Sequence, residues 1–199
     1  MKRISSLMLA ITILLAACNN KKPKDTVTMA SEDGKEKVTV NVNQMQDAAK
    51  EMQKATEDLQ KLPPLSLDQL KALIPEELMG GKKTRYNATS AMGAGMATAE
   101  YKINDSTDIK LTLYDCGGPG GAGIYSMQYL GMMNMESESE DEYTKSIDFN
   151  GGRAFEQCKK TRVECTLTYF AGGRFLVSLN GDNVNADGLK QAAKSLNVK

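Results

Sequence analysis

Residues 96–115, MATAEYKINDSTDIKLTLYD, decide the fold of this chain, because they contain two alternating runs separated by the turn signal Asn104-Asp105. Alternation between apolar and polar residues is typical of a β-strand with one buried face. The apolar members of the two runs are Tyr101, Ile103, Ile109, Leu111 and Leu113. The segment therefore predicts an antiparallel hairpin with its apolar side chains on one face.

Similar patterns extend on both sides of this hairpin. Further strands are predicted at residues 83–88, 143–149, 153–158, 163–170 and 174–179, and helices at 66–74, 124–135 and from 185 or 187 onwards. All eleven aromatic residues lie between Tyr86 and Phe175, which places the core within residues 65–199. Short turns imply antiparallel pairing, so we expect an α+β domain with an antiparallel sheet of about six to seven strands and flanking helices.

The order of these elements over residues 80–199 resembles the PsbP/Mog1-like fold, a compact sheet-and-helix module that is also found in bacterial envelope lipoproteins. The resemblance rests on element order rather than on a sequence motif. It implies a fold and assigns no functional residues.

The first eighteen residues carry a targeting signal. Lys2 and Arg3 precede an apolar run, Ile4–Leu15, that is shorter than the roughly 20 residues needed to span a bilayer. The run ends in Leu15-Ala16-Ala17-Cys18, which resembles the lipobox of bacterial lipoproteins. The resemblance implies a signal peptide at residues 1–17, cleavage between Ala17 and Cys18, and acyl chains such as palmitate on Cys18.

Two or three acyl chains would hold the mature protein stably on a membrane. The residue after the cysteine is Asn19, which in lipoproteins of double-membrane bacteria is compatible with transport to the outer membrane. No acidic cluster follows Cys18 directly, and such a cluster is the surface-export pattern in some groups. We therefore expect a cell-envelope protein that is anchored in the outer membrane and faces the periplasm.

Two segments connect this anchor to the domain. Residues 18–42 are polar and favour a lipidated flexible tether, although the alternating valines at 38, 40 and 42 allow a short strand. Residues 43–64 predict an amphipathic stalk helix that ends at two prolines. The apolar stripe of residues 43–62 leaves two alternatives open: a coiled-coil seam for a second copy or an envelope protein partner, and a stalk packed against its own domain.

The composition excludes several functions. The chain has 25 Lys and Arg against 25 Asp and Glu, so its formal net charge is zero and it lacks the basic field that binds nucleic acids. It contains no His, which excludes a His general base and His-ligated zinc or haem. Since no Ser–Lys, Asp–Asp or metal-ligand constellation points to hydrolysis, we expect a protein that is not an enzyme and holds no metal or cofactor.

A glycine-rich segment follows the first hairpin. Gly118, Gly120 and Gly123 match the dinucleotide-binding pattern G-x-G-x-x-G, but the strand before them belongs to an antiparallel hairpin. Pro119 also removes one N–H group from a phosphate cradle. A flexible hinge or close-packing loop at residues 117–123 is the better interpretation.

Three cysteines remain in the mature domain. Cys158 and Cys165 flank one hairpin turn and are the natural disulfide pair in an exported protein. Regular pairing with Phe155 on the apolar face would put the two thiols on opposite faces, so the bond requires a β-bulge near residues 159–162. Cys116 is then a buried inert thiol, and a bridge from Cys116 to either of the other two stays open.

The helix predicted at 124–135 is rich in methionine. Met127, Met132 and Met133 are placed either to fill the core or to line a pliable apolar groove against the sheet. The acidic run at 136–142 lacks EF-hand spacing and predicts a solvated loop.

The leading hypothesis is a lipid-anchored envelope protein with a non-catalytic binding or scaffolding domain. The alternative is a carrier for a small apolar or lipidic ligand between the sheet and this helix.

Overall fold

The computed structural model describes residues 26–30, 37–91, 93–132 and 136–198. These residues divide between Asp47 and Ala48 into two units, of which the second contains most of the structure.

In the first unit, β1 (Thr26–Ala30) and β2 (Lys37–Asn41) form an antiparallel hairpin, and α1 (Val42–Lys61) begins directly after it. The alternating valines of β2 pair with Val27 and Met29 of β1. A hairpin therefore forms within the segment for which we predicted a flexible tether, because β-branched residues favour extended backbone. The predicted signal peptide and Cys18 lie outside the described residues.

The second unit is built around one antiparallel sheet, to which the described residues contribute nine strands. The strands are β3 (Glu77–Leu78), β4 (Gly81–Ala91), β5 (Ala94–Asn104), β6 (Thr107–Asp115), β7 (Glu136–Glu138), β8 (Glu142–Phe149), β9 (Gly152–Lys159), β10 (Glu164–Ala171) and β11 (Phe175–Asp182). Their order across the sheet is β3-β4-β5-β6-β11-β10-β9-β8-β7. The α+β class and the antiparallel pairing are thus confirmed. The expected six to seven strands were too few, because β3 and β7 are two- and three-residue edge strands without an apolar alternation.

Helices cover both faces of this sheet. They are α1, α2 (Leu67–Ala72), α3 (Gly118–Gly131) and α4 (Ala186–Ser195). On one face, Leu70 of α2 and Leu189 of α4 join the larger hydrophobic core. On the other, Leu59 of α1 and Ala122 of α3 form a smaller core with Leu176 of β11. Alternate residues of the central strands therefore enter two different cores.

Helix α3 begins at Gly118, six residues before the predicted start, so the expected loop at 117–123 was wrong. Pro119 occupies the first turn, where its missing N–H group costs no helical hydrogen bond. A Cβ atom on Gly121 would lie 2.4 Å from the carbonyl oxygen of Asp115, so only glycine permits this approach of α3 to β6. The glycines thus serve close packing, which overrides their poor intrinsic helix propensity.

A buried ion pair between Asp115 and Arg174 joins three connecting segments beside this helix. They are the α1–α2 loop, the β6–α3 loop and the β10–β11 turn. The fully buried Asp115 carboxylate accepts hydrogen bonds from Arg174 Nε (2.7 Å) and Nη2 (3.1 Å) and from the N–H groups of Leu65 (2.7 Å) and Gly117 (3.0 Å). Arg174 Nη2 also donates to the carbonyl of Pro63 (2.7 Å). Burial alone would raise the pKa of Asp115, but these hydrogen bonds and the Arg174 charge hold that pKa below its usual value.

Cys158 and Cys165 form a disulfide bond as direct cross-strand neighbours of β9 and β10, without a β-bulge between them. The register expected from the sequence was wrong because it took Phe155 as the marker of the inner face. Ala154, Glu156 and Cys158 are the buried residues of β9, and Phe155 packs into the smaller core on the opposite face. Because the inward-facing residue Glu156 is charged, the inner face of β9 does not show the usual run of apolar residues.

Candidate functional site

An aromatic pocket with a volume of about 530 Å³ opens between α1, α3 and the turn that joins β8 to β9. Its walls are formed by Glu51, Tyr125, Tyr129, Met132, Asp148, Gly151, Gly152, Arg153 and Phe170. The volume lies within the range of about 300–1,000 Å³ that is usual for small-molecule sites.

Three aromatic rings form the apolar wall of the aromatic pocket. Tyr125 and Tyr129 are four residues apart on α3, which brings their ring centroids to 5.6 Å from each other. The ring of Phe170 on β10 lies 4.4 Å from Tyr125 and 6.4 Å from Tyr129. These tilted contacts hold the rings in one continuous surface, on which a flat or chain-like apolar group can pack.

The rim of the aromatic pocket is polar. The Tyr129 hydroxyl donates to Glu51 Oε2 at 3.4 Å, and Arg153 Nη1 donates to Asp148 Oδ1 at 2.8 Å. Burial, followed by the neighbouring Tyr129 hydroxyl, Cys116 thiol and Glu51 carboxylate, raises the pKa of Tyr125 to about 12. Burial and then the charge of Glu51 raise the pKa of Tyr129 as well. Both phenols therefore stay neutral at physiological pH. The Tyr125 hydroxyl can donate a hydrogen bond to a ligand, whereas the one O–H group of Tyr129 is directed at Glu51.

One contact between helices and one tight turn hold the elements around the pocket in place. The hydroxyl oxygens of Thr56 on α1 and Ser126 on α3 are hydrogen-bonded at 2.9 Å. The turn opposite them contains Asn150 and Gly151 with φ angles of 50° and 78°, as in a type I′ hairpin turn. Helix pairing and a two-residue turn thus define the entrance, rather than a long loop.

Two of the three methionines predicted to line a groove have different environments. Met132 is 2% exposed and forms part of the pocket wall, whereas Met127 is 78% exposed and is not among the lining residues. Met133 lies outside the described residues.

For the apolar stripe of residues 43–62, two alternatives were left open. The alternative in which the stripe packs against the chain's own domain applies to Leu59, which is buried in the smaller core.

Cys116 and the glycine motif are both packed against the rest of the protein. Burial above all raises the pKa of the Cys116 thiol to about 12, so the reactive thiolate is disfavoured. Gly118, with a φ of 79°, lies where a Cβ atom would come 2.8 Å from Pro64, so this end of the glycine motif is packed against protein. Within the described ranges, no group of three or more His, Cys, Asp or Glu residues is arranged to hold a metal ion.

Sequence reasoning missed the aromatic character of the pocket. Tyr125 and Tyr129 were assigned to the correct helix, and their spacing of four residues was the available signal. Phe170 lies in the predicted strand at 163–170, but its pairing with α3 depends on which face of β10 it occupies. Glu51 and the Asp148–Arg153 pair come from elements distant in sequence, so no local pattern connects them.

No family model, no curated protein and no solved structure matches this chain. Among the described residues, no helix is long and apolar enough to cross a membrane.

Proposed function

We propose that this protein is a lipid-anchored cell-envelope protein whose domain binds a small, largely apolar ligand in the aromatic pocket and catalyses no reaction. The observation that carries the proposal is the cavity of about 530 Å³ beside α3, with the rings of Tyr125, Tyr129 and Phe170 in its wall. A ligand of this site would place a ring or chain on these rings and a polar end at the rim formed by Glu51 and Arg153.

The charge distribution of the pocket favours binding over catalysis. The carboxylate of Asp148 is paired with Arg153, and Glu51 accepts a hydrogen bond from Tyr129. Neither tyrosine is shifted towards ionisation, because both pKa values are raised. The pocket therefore offers packing surface and hydrogen-bond donors, but no activated base or nucleophile.

The anchor part of the proposal predicts that protein isolated from membranes carries acyl chains on Cys18. Intact mass and incorporation of radiolabelled palmitate would be measured for wild type and for Cys18→Ala. We expect acylated wild type and an unacylated Cys18→Ala protein. Unacylated wild type would contradict the anchor without bearing on the pocket.

The pocket part predicts that the neutral fluorescent probe N-phenyl-1-naphthylamine binds the mature chain. Tyr129→Ala and Phe170→Ala should each raise its Kd about tenfold, because each removes one ring of the packing surface. Tyr86→Ala is the matched control, since Tyr86 is a half-buried tyrosine on β4 that does not line the pocket. An equal loss of binding in Tyr86→Ala would show that the probe reports on stability instead of the pocket.

A further inference from the structure

A second cavity, here called the basic cavity, has a volume of about 580 Å³ and opens beside the Cys158–Cys165 disulfide. It shares no lining residue with the aromatic pocket. Five cationic side chains line it, from β8, β9, the β9–β10 turn and α4: Lys145, Lys159, Lys160, Arg162 and Lys190. Glu156 and Asp187 are the two acidic residues in the same lining. Positive charge is therefore concentrated here in a chain whose formal net charge is zero.

Glu156 holds two of these cations at the wall of the basic cavity. Its side chain is 2% exposed, its Oε1 accepts from the Tyr143 hydroxyl at 2.9 Å, and Lys145 Nζ lies 3.1 Å from the same oxygen. Lys190 Nζ lies 2.8 Å from Oε2 and 3.4 Å from Asp187 Oδ1. An ammonium group has three N–H bonds, so both lysines keep donors for a further acceptor.

The other three cations pair with acids that do not line the basic cavity. Lys159 Nζ lies 2.8 Å from Glu164 Oε1, and Arg162 contacts the other oxygen of the same carboxylate. Lys160 Nζ lies 2.7 Å from Glu138 Oε1. The five cations are thus paired with four carboxylates, because Lys159 and Arg162 share Glu164, and one positive charge is left unbalanced. The cavity therefore keeps a positive potential although every cation has a partner.

We infer that the basic cavity binds a phosphate group. Tetrahedral phosphate oxygens accept several charge-assisted hydrogen bonds at once, which suits ammonium and guanidinium groups that converge from separate elements. The first residues of α4, Ala186 and Asp187, also line the cavity, and the positive end of the helix dipole adds to the field of the side chains. The phosphate belongs either to a free anion or to the headgroup of a phospholipid.

The test uses the mature chain with Cys18→Ala, so that no acyl chain attaches the protein to lipid, and inorganic phosphate as the probe. We expect saturable shifts of the Ala186 and Asp187 amide signals in NMR spectra. Lys190→Gln should raise the Kd about tenfold or more, since it removes a charged hydrogen-bond donor. The matched control is Lys102→Gln, because Lys102 pairs with Asp105 on the surface and does not line the cavity.

Arg162→Gln is a second test variant, for the case that Lys190→Gln does not fold correctly. Glu164 keeps Lys159 as a partner when Arg162 is lost, so we expect Arg162→Gln to fold. It should weaken phosphate binding while leaving the spectrum otherwise native. Shifts that never saturate, or an equal loss in Lys102→Gln, would overturn the inference. Unchanged affinity in Arg162→Gln together with unchanged affinity in Lys190→Gln would overturn it as well.

A second arm of the experiment distinguishes the two sources of phosphate. The Cys18→Ala protein would be sedimented with vesicles of phosphatidylglycerol or of phosphatidylcholine. Sedimentation with phosphatidylglycerol alone, reversed by inorganic phosphate and by Arg162→Gln, assigns a lipid headgroup. Phosphate shifts without vesicle binding assign a free anion, and each of these outcomes supports the basic cavity as a phosphate site.

Discussion

Replacing Asp115 by Ala is expected to lower the free energy of unfolding by about 3–5 kcal/mol, the usual cost of removing one partner of a buried ion pair. The Asp115 carboxylate is fully buried and is the acceptor for two hydrogen bonds from Arg174 and for two backbone N–H groups. Its loss leaves the largely buried Arg174 without its anion and the N–H groups of Leu65 and Gly117 without an acceptor. Urea unfolding followed by circular dichroism measures the effect.

The control for this variant is Asp105→Ala. Asp105 forms an exposed ion pair with Lys102 at 3.1 Å, so its removal should leave the free energy of unfolding nearly unchanged. Equal effects of the two substitutions would contradict the assigned role of Asp115.

The contribution of Asp115 to the free energy of unfolding also depends on pH. Because the folded protein holds the pKa of Asp115 below its usual value, the stabilisation is complete above the unfolded pKa of about 4 and is lost as the pH falls through the folded pKa. The difference in stability between wild type and Asp115→Asn should therefore narrow as the pH falls below about 4. A difference that stays constant down to strongly acidic pH would exclude this linkage.

The second large effect is expected for Gly121→Ala, which should cost about 3 kcal/mol of stability, at the upper end of overpacking effects. The added Cβ atom would lie 2.4 Å from the Asp115 carbonyl oxygen and 2.5 Å from the Cys116 carbonyl carbon. Both atoms are backbone and cannot rotate away, so α3 must move off β6. Since α3 carries Tyr125 and Tyr129, binding of the naphthylamine probe should weaken as well. Thermal unfolding and probe titration measure the two effects.

Gly123→Ala is the matched control in the same helix. A Cβ atom on Gly123 meets nothing within 4 Å, so the substitution should raise the stability by about 1 kcal/mol through helix propensity alone. We therefore expect changes in stability of opposite sign for Gly121→Ala and Gly123→Ala. The same sign at both positions would show that α3 is not held against β6 by close packing.

The sequence predicted the elements that depend on local pattern. The hairpin of β5 and β6 follows the alternation around Tyr101 and Leu111, and α2 begins after Ser66, whose side chain accepts a hydrogen bond from the Gln69 N–H group as an N-cap. Failures occurred where a long-range contact overrides a local signal. The start of α3 depends on the close approach of Gly118 to Pro64, and the inner face of β9 depends on lysines that pair with Glu156.

The site could be predicted only in part, for the same reason. The methionine-rich sequence predicts the helix beside the pocket and the burial of Met132. The partners of that helix do not, because Glu51 and Phe170 reach the pocket from elements far apart in the chain. Exposed Met127 shows that residue type alone does not separate the pocket side of α3 from its solvent side.

The position of a bound apolar ligand would show whether the aromatic pocket is a binding site. Intermolecular NOEs would be recorded between N-phenyl-1-naphthylamine and the mature protein with labelled methionine methyl groups and tyrosine and phenylalanine rings. We expect NOEs to the Met132 methyl group and to the rings of Tyr125, Tyr129 and Phe170. NOEs to the exposed Met127 alone, or no NOEs at saturating probe, would contradict the proposal that this pocket binds an apolar ligand.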